Sequence, residues 1–160
     1  MFIRPFIFAG LMLSACTSNA ALPSAKAIRD SLNAAWRPPA DSVVSIRQLA
    51  PGVWSEVYLF EPYTPVNVIA DCVGATRVST DGIESRDDID LWIFRRPDSS
   101  LVSRSVSRGS PTLDTAAASA VYRASATFRA RNSQSGGWRF MTPVSGMIRR
   151  CSWRTTRSGE

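Results

Sequence analysis

Histidine is absent from the 160 residues, and its absence removes more chemistry than any other feature of the composition. Without imidazole the chain cannot assemble a Ser-His-Asp or Cys-His nucleophile, nor an ordinary histidine-containing zinc site. Lysine is almost absent too: Lys26 stands alone beside 18 arginines. Long hydrophobic runs are missing as well. The apolar stretch from Pro5 to Leu13 is far shorter than the roughly 20 residues of a membrane-crossing helix, and the polar Thr17-Ser18-Asn19 follow it closely. What is present, 44% apolar and 20% charged residues with 10 prolines and 9 glycines, excludes a disordered tail or a fibre and suits one globular domain.

The first fifteen residues combine an early positive charge at Arg4, the apolar stretch and then small residues, the layout of a secretion signal. Its end, Leu13-Ser14-Ala15-Cys16, resembles a bacterial lipobox. That resemblance implies cleavage before Cys16 and acylation of Cys16, with anchorage that several long acyl chains make effectively permanent. The expected division is a removed signal peptide over 1–15, a lipidated tether over 16–23, one periplasmic domain over 24–153 and a flexible tail over 154–160. Thr17 and Ser18 are not the aspartate of the enteric retention pattern, so the outer membrane, facing the periplasm, is the expected site, with the inner membrane the other. Cys72 and Cys151 then remain in a compartment that permits disulfides. Either they pair, closing a loop of about 80 residues for about 4.5 kcal/mol on chain-entropy grounds, or they are two buried thiols.

Along the chain, Ala25, Ile28, Leu32, Ala35 and Trp36 recur at helical spacing behind Ser24 as N-cap, and Pro38-Pro39 stops that helix. Val53 to Phe60 reads as a strand apolar on both faces. Thr64 and Pro65 open a short helix through Cys72 that Gly74 closes. A polar, acidic connection leads to a strand from Ile89 to Phe94 and its hairpin partner from Leu101 to Val106. Residues 108–119 read as loop. Tyr122, Ala124, Ala126, Phe128 and Ala130 alternate with Arg123, Ser125, Thr127, Arg129 and Arg131, a strand with one buried and one solvated face. Asn132 to Gly137 turns the chain, and Trp138 to Met141 and Ser145 to Trp153 complete the sheet. The expected class is α+β, a mainly antiparallel sheet with one or two helices packed on one face.

The segment Trp54-Ser55-Glu56-Val57-Tyr58-Leu59-Phe60-Glu61-Pro62-Tyr63-Thr64-Pro65, followed by Ile69 and Gly74, resembles a pattern of small uncharacterised proteobacterial lipoproteins. These carry a strand with an early tryptophan, a Phe-Gly-Pro-Tyr-Thr turn, a short helix and a glycine, then an aspartate before a Phe-containing strand. The resemblance covers Trp54 to Val106 and implies a lipoprotein, with no reaction or catalytic residue attached. Glu61 stands where that pattern has glycine. Capping and packing explain these residues without a function; the alternative is that Trp54 and Tyr63 line a surface groove.

Asp81, Glu84, Asp87, Asp88 and Asp90 crowd ten residues without the spacing of a calcium loop, so a solvated acidic loop is expected and no metal or cofactor. Charge is divided: from Cys16 to Phe94 six basic and ten acidic residues give −4, and from Arg95 onward twelve basic and three acidic give +9. Arg123, Arg129 and Arg131 could present a face for phosphate or carboxylate; alternatively, the basic strands fold beside the acidic loop and neutralise it. In the envelope the anionic partners on offer are lipid headgroups or an acidic protein rather than nucleic acid. With no positioned acid pair or activated nucleophile to name, the leading expectation is a non-enzymatic lipoprotein with a binding or accessory role. An immunity or inhibitor protein against a toxin or cell-wall hydrolase is the alternative.

Overall fold

A computed structural model describes residues 21–35, 43–109, 112–114, 118–132 and 139–151. The leader, Cys16, most of the tether, Trp36 with Pro38-Pro39, the interior of the turn at 133–137 and the stretch 152–160 lie outside the described residues. Helix α1 (Ala25–Ala35) forms where the apolar spacing predicts it, with Ile28 and Leu32 buried. Ser24 caps it: its Oγ accepts from the Ala27 amide at 3.1 Å, satisfying one of the donors that a helix start leaves open.

Two elements then precede the expected strand. β1 (Val43–Ser45) runs directly into the one-turn helix α2 (Ile46–Leu49). A capping box holds the junction, Ser45 Oγ taking the Gln48 amide and the Gln48 side chain returning to the Ser45 amide. β2 (Glu56–Phe60) begins three residues later than the sequence pattern suggests, and α3 (Val66–Val73) follows. Thr64 is not its N-cap. The Thr64 hydroxyl donates instead to Glu61 O at 2.6 Å and is buried, so Pro65 occupies the capping position and the helix starts one residue later. Gly74 closes α3 as expected, in the left-handed conformation at φ 67° that glycine adopts without steric cost.

β3 (Ile89–Arg95) and β4 (Leu101–Ser107) form the predicted hairpin. Within the stretch expected to be loop, β5 (Thr112–Leu113) pairs parallel with β7. β6 (Ala120–Asn132) and β7 (Arg139–Arg150) are the two long strands, β7 uniting what the sequence suggests as two segments. The seven-stranded sheet has the order β4-β3-β2-β6-β7-β5, antiparallel except at β5, with β1 also on β6. β1 and β2 share one edge of β6: Val43 to Ser45 pair with Arg129 to Thr127, and Glu56 to Leu59 with Arg123 to Ala120. Together they act as one strand interrupted by α2.

Both faces of β2 and β3 are buried, and they feed two cores. Val57, Leu59, Trp92 and Phe94 join Tyr122, Ala126 and Phe128 beneath α1 and α2. Tyr58, Phe60, Leu91 and Ile93 join Ile69 and Val73 of α3 on the opposite face. The α+β class with helices packed on a mainly antiparallel sheet is therefore what is observed; α1 and α2 share one face, and α3 covers part of the other. Each fully buried Phe or Leu contributes about 1.5–3 kcal/mol to this sandwich. Of the two alternatives for the cysteines, the bridge is found: Cys72 and Cys151 are disulfide-bonded, with Cα atoms 5.4 Å apart across a separation of 79 residues.

Candidate anion-binding face

β6 keeps its period of two. Tyr122, Ala126, Phe128 and Ala130 point into the core beneath α1 and α2, so Arg123, Ser125, Thr127, Arg129 and Arg131 share the opposite face. The core beneath α3 reaches β6 only at Val121, and no described helix covers the strand beyond it. Register fixes the neighbours: Arg129 lies between Val43 of β1 and Thr142 of β7. One step away Thr127 and Ser145 share a hydroxyl hydrogen bond of 2.8 Å. Val43 and Val144 are about half exposed, at 47% and 51%. Here three arginines stand in an open field of small hydroxyls and two valines.

β7 is pressed onto this part of β6. Gly146, at φ 79°, lies so close to Ala126 that a Cβ on it would stand 2.5 Å from the Ala126 Cα. Only glycine satisfies both the left-handed backbone and that approach.

Other arginines of the same face have internal partners. Arg95 donates through Nε to Tyr58 Oη at 2.9 Å and to Glu56 Oε2 at 3.2 Å, and through Nη2 to Val73 O at 2.7 Å. Its guanidinium also lies over the Tyr58 ring. Tyr58 Oη in turn donates to Glu56 Oε2 at 2.8 Å. Burial raises the Tyr58 phenol above its ordinary pKa, and the hydrogen bond to Tyr58 raises that of Arg95. Arg149 donates to Cys72 O at 2.7 Å. Two guanidiniums thus cap the last carbonyls of α3, where helix carbonyls lack intrahelical donors and cations are favoured. Arg123, Arg129 and Arg131 differ: among the described residues, none makes a side-chain hydrogen bond or ion pair. The Nε of half-buried Arg129 is screened from solvent and has no partner.

The acidic stretch is paired in part with the basic half of the chain, through Arg108 and Asp90 beside β4, whereas β6 with its three arginines does not reach it. Asp81 accepts from Ser79 at 2.7 Å and from the Ser105 hydroxyl, which together hold its carboxyl below the ordinary range, Ser105 foremost. Arg86 grips Asp88 with two bonds of 2.8 and 2.6 Å. Buried Asp90 pairs with Arg108 at 3.3 Å and attracts Arg29. These residues sit at or before the start of β3, where Ile89 pairs with Ser107. β6 passes that end of the sheet at Ala120, paired with Leu59, and Arg129 lies nine residues on, about 30 Å along the strand. Among the described residues no three His, Cys, Asp or Glu side chains converge as a metal site would require.

Trp54 and Tyr63 do not line a common groove. Trp54 is a core residue at 2% exposure, packed edge-on against Phe94 with its indole donating to Ala50 O at 2.9 Å and Arg47 over its ring. It is removed from the candidate binding surface. Tyr63 is exposed at 58%. Its backbone takes the positive φ of 62° at this turn, while Glu61, the residue in the glycine position of the lipoprotein pattern, does not. The Tyr63 amide donates to Ile83 O at 2.9 Å, which fixes the turn. Sequence reasoning missed Val43 and the α3-capping roles of Arg95 and Arg149. Ser45 and Gln48 at capping-box spacing were the available signal for β1 and α2; nothing local marks an arginine that reaches a distant carbonyl. No family model, no curated protein and no solved structure matches the chain.

Proposed function

We propose that this chain is a lipoprotein of the bacterial envelope, acylated on Cys16 and holding a periplasmic domain at the outer membrane, where it acts by binding an anionic partner and not by catalysis. Anchorage rests on the run Leu13-Ser14-Ala15-Cys16 behind a short apolar stretch. The Cys72–Cys151 bridge supports it: a disulfide suits an oxidising compartment, and it leaves Cys16 as the one remaining cysteine. No described helix is long and apolar enough to cross a membrane. The binding role rests on Arg123, Arg129 and Arg131, charged and without internal partners on a sheet face that no described helix covers. Arginine suits such a role because its planar fork takes phosphate or carboxylate through two parallel bonds.

Growth of expressing bacteria with an alkyne-bearing palmitate tests the anchor. The wild type is expected to take up label and Cys16→Ser to take up none; an unlabelled wild type, or label retained by the variant, overturns the assignment.

A further inference from the structure

Arg129 and Arg131 lie towards one end of the sheet, and the described chain begins on the segment that leads into β2. Glu56, the first residue of β2, pairs with Arg123, and β6 runs on past it to Arg129 and Arg131. β3 finishes at this end, with Arg95 paired to Glu56 and Arg96 next. The acidic residues Asp81 to Asp90 occupy the other end. Ala21, the first described residue, packs on Gly52 in the segment leading into β2, its carbonyl 3.4 Å from where a Gly52 Cβ would stand. Five residue steps separate Cys16 from Ala21, at most about 18 Å of chain. A lipid on Cys16 therefore holds the bilayer within about 18 Å of Ala21.

We propose that Arg129 and Arg131, with Arg123 behind them, bind the headgroup phosphates of anionic phospholipids in the membrane that anchors the chain, so that the domain docks on the bilayer by one end of its sheet. The proposal deepens the function proposed above and rests on that anchorage. Two observations converge on a lipid surface. The guanidiniums are unpartnered among the described residues, and juxtamembrane arginines are individually attracted to an anionic leaflet. Val43, directly opposite Arg129, and nearby Val144 are exposed, adding apolar contact at headgroup depth.

The full-length protein is mixed with phosphatidylcholine vesicles, with and without added phosphatidylglycerol, and the bound fraction is read by flotation. Wild type and Cys16→Ser are both expected to bind more tightly when phosphatidylglycerol is present, the gain shrinking as salt rises. Arg129→Gln with Arg131→Gln is expected to lose roughly 30-fold of that gain while keeping its affinity for neutral vesicles. The exposed pair Arg123→Gln with Arg131→Gln guards against a folding defect at half-buried Arg129 and is expected to lose a similar share. Equal binding to neutral and anionic vesicles by the wild type overturns the proposal, and so does a gain that survives both variants. Substitutions that abolish cross-linking to an envelope protein but leave vesicle binding unchanged overturn it in favour of a protein partner. Missing palmitate label with the phosphatidylglycerol gain intact counts against the anchorage alone.

Discussion

The face of the sheet that carries α3 has two halves, and both are rich in arginine. In the covered half, Arg95 and Arg149 reach the terminal carbonyls of α3, and Arg95 also engages Tyr58 and Glu56. In the open half, Arg123, Arg129 and Arg131 stand on regular alternation with no such partner among the described residues. The same side chain is a structural clamp in one place and an unsatisfied donor in the other. The difference comes from what lies above the strand: a helix end supplies carbonyls that require donors, whereas bare sheet supplies none. A net charge taken over the sequence therefore says little about the surface, because the arginines that hold the fold together and those that face outward are counted alike.

Breaking the covered half at its covalent point is expected to have the largest effect. Replacing Cys72 and Cys151 together by alanine removes the link across 79 residues and is expected to lower stability by about 4 kcal/mol, read as a lower midpoint in urea unfolding. An unchanged midpoint would show that α3 is held without the bridge.

The open half has its own point of strain. Gly146→Ala would force a Cβ to 2.5 Å from the Ala126 Cα at a φ of 79°, and a loss of about 2–4 kcal/mol is expected. Should that variant unfold at the wild-type midpoint, the close approach of β7 to β6 would not be a structural requirement.

The sharpest form of the comparison substitutes one arginine in each half. Arg95→Met deprives Tyr58 and the Val73 carbonyl of their donor and leaves Glu56 with Tyr58 alone, and is expected to cost about 2 kcal/mol. Arg131→Gln, exposed and unpaired, is expected to stay within about 0.5 kcal/mol of the wild type. Equal losses in the two, measured by the same unfolding curves, would erase the distinction between clamp and surface.

Much of the fold was legible because its signals are local. The spacing of Ile28 and Leu32, the alternation from Tyr122 to Ala130 and the glycine at 74 each follow from a periodicity or a backbone preference that needs no tertiary context. Strand β2 was legible as apolar on both faces, which is why a helix layer lies on each side of it. Other features depend on partners distant in sequence. β5 is a strand only because Thr112 and Leu113 meet Phe140 and Met141. Thr64 looks like a cap, yet the carbonyl of Glu61 claims its hydroxyl. Trp54 lies before β2, and the packing of Phe94 and Ala50 around it shows which core it joins. Within the candidate site, the outward face of β6 could be read from alternation; that Asp81 would take the Ser105 hydroxyl and Asp90 would pair with Arg108 could not, since that depends on which strands meet at which end.

The bridge between Cys72 and Cys151 has a mechanical consequence. It encloses β3, β4, β5, β6 and β7 in a covalent ring, and among the described elements α1, β1, α2, β2 and most of α3 lie between Ala21 and the cross-link. A pull applied at the N-terminus can peel these elements from the sheet, but the ring withholds up to about 280 Å of contour from extension. Stretched from its N-terminal side, the protein would surrender its first helices and the central strand β2 and then stop.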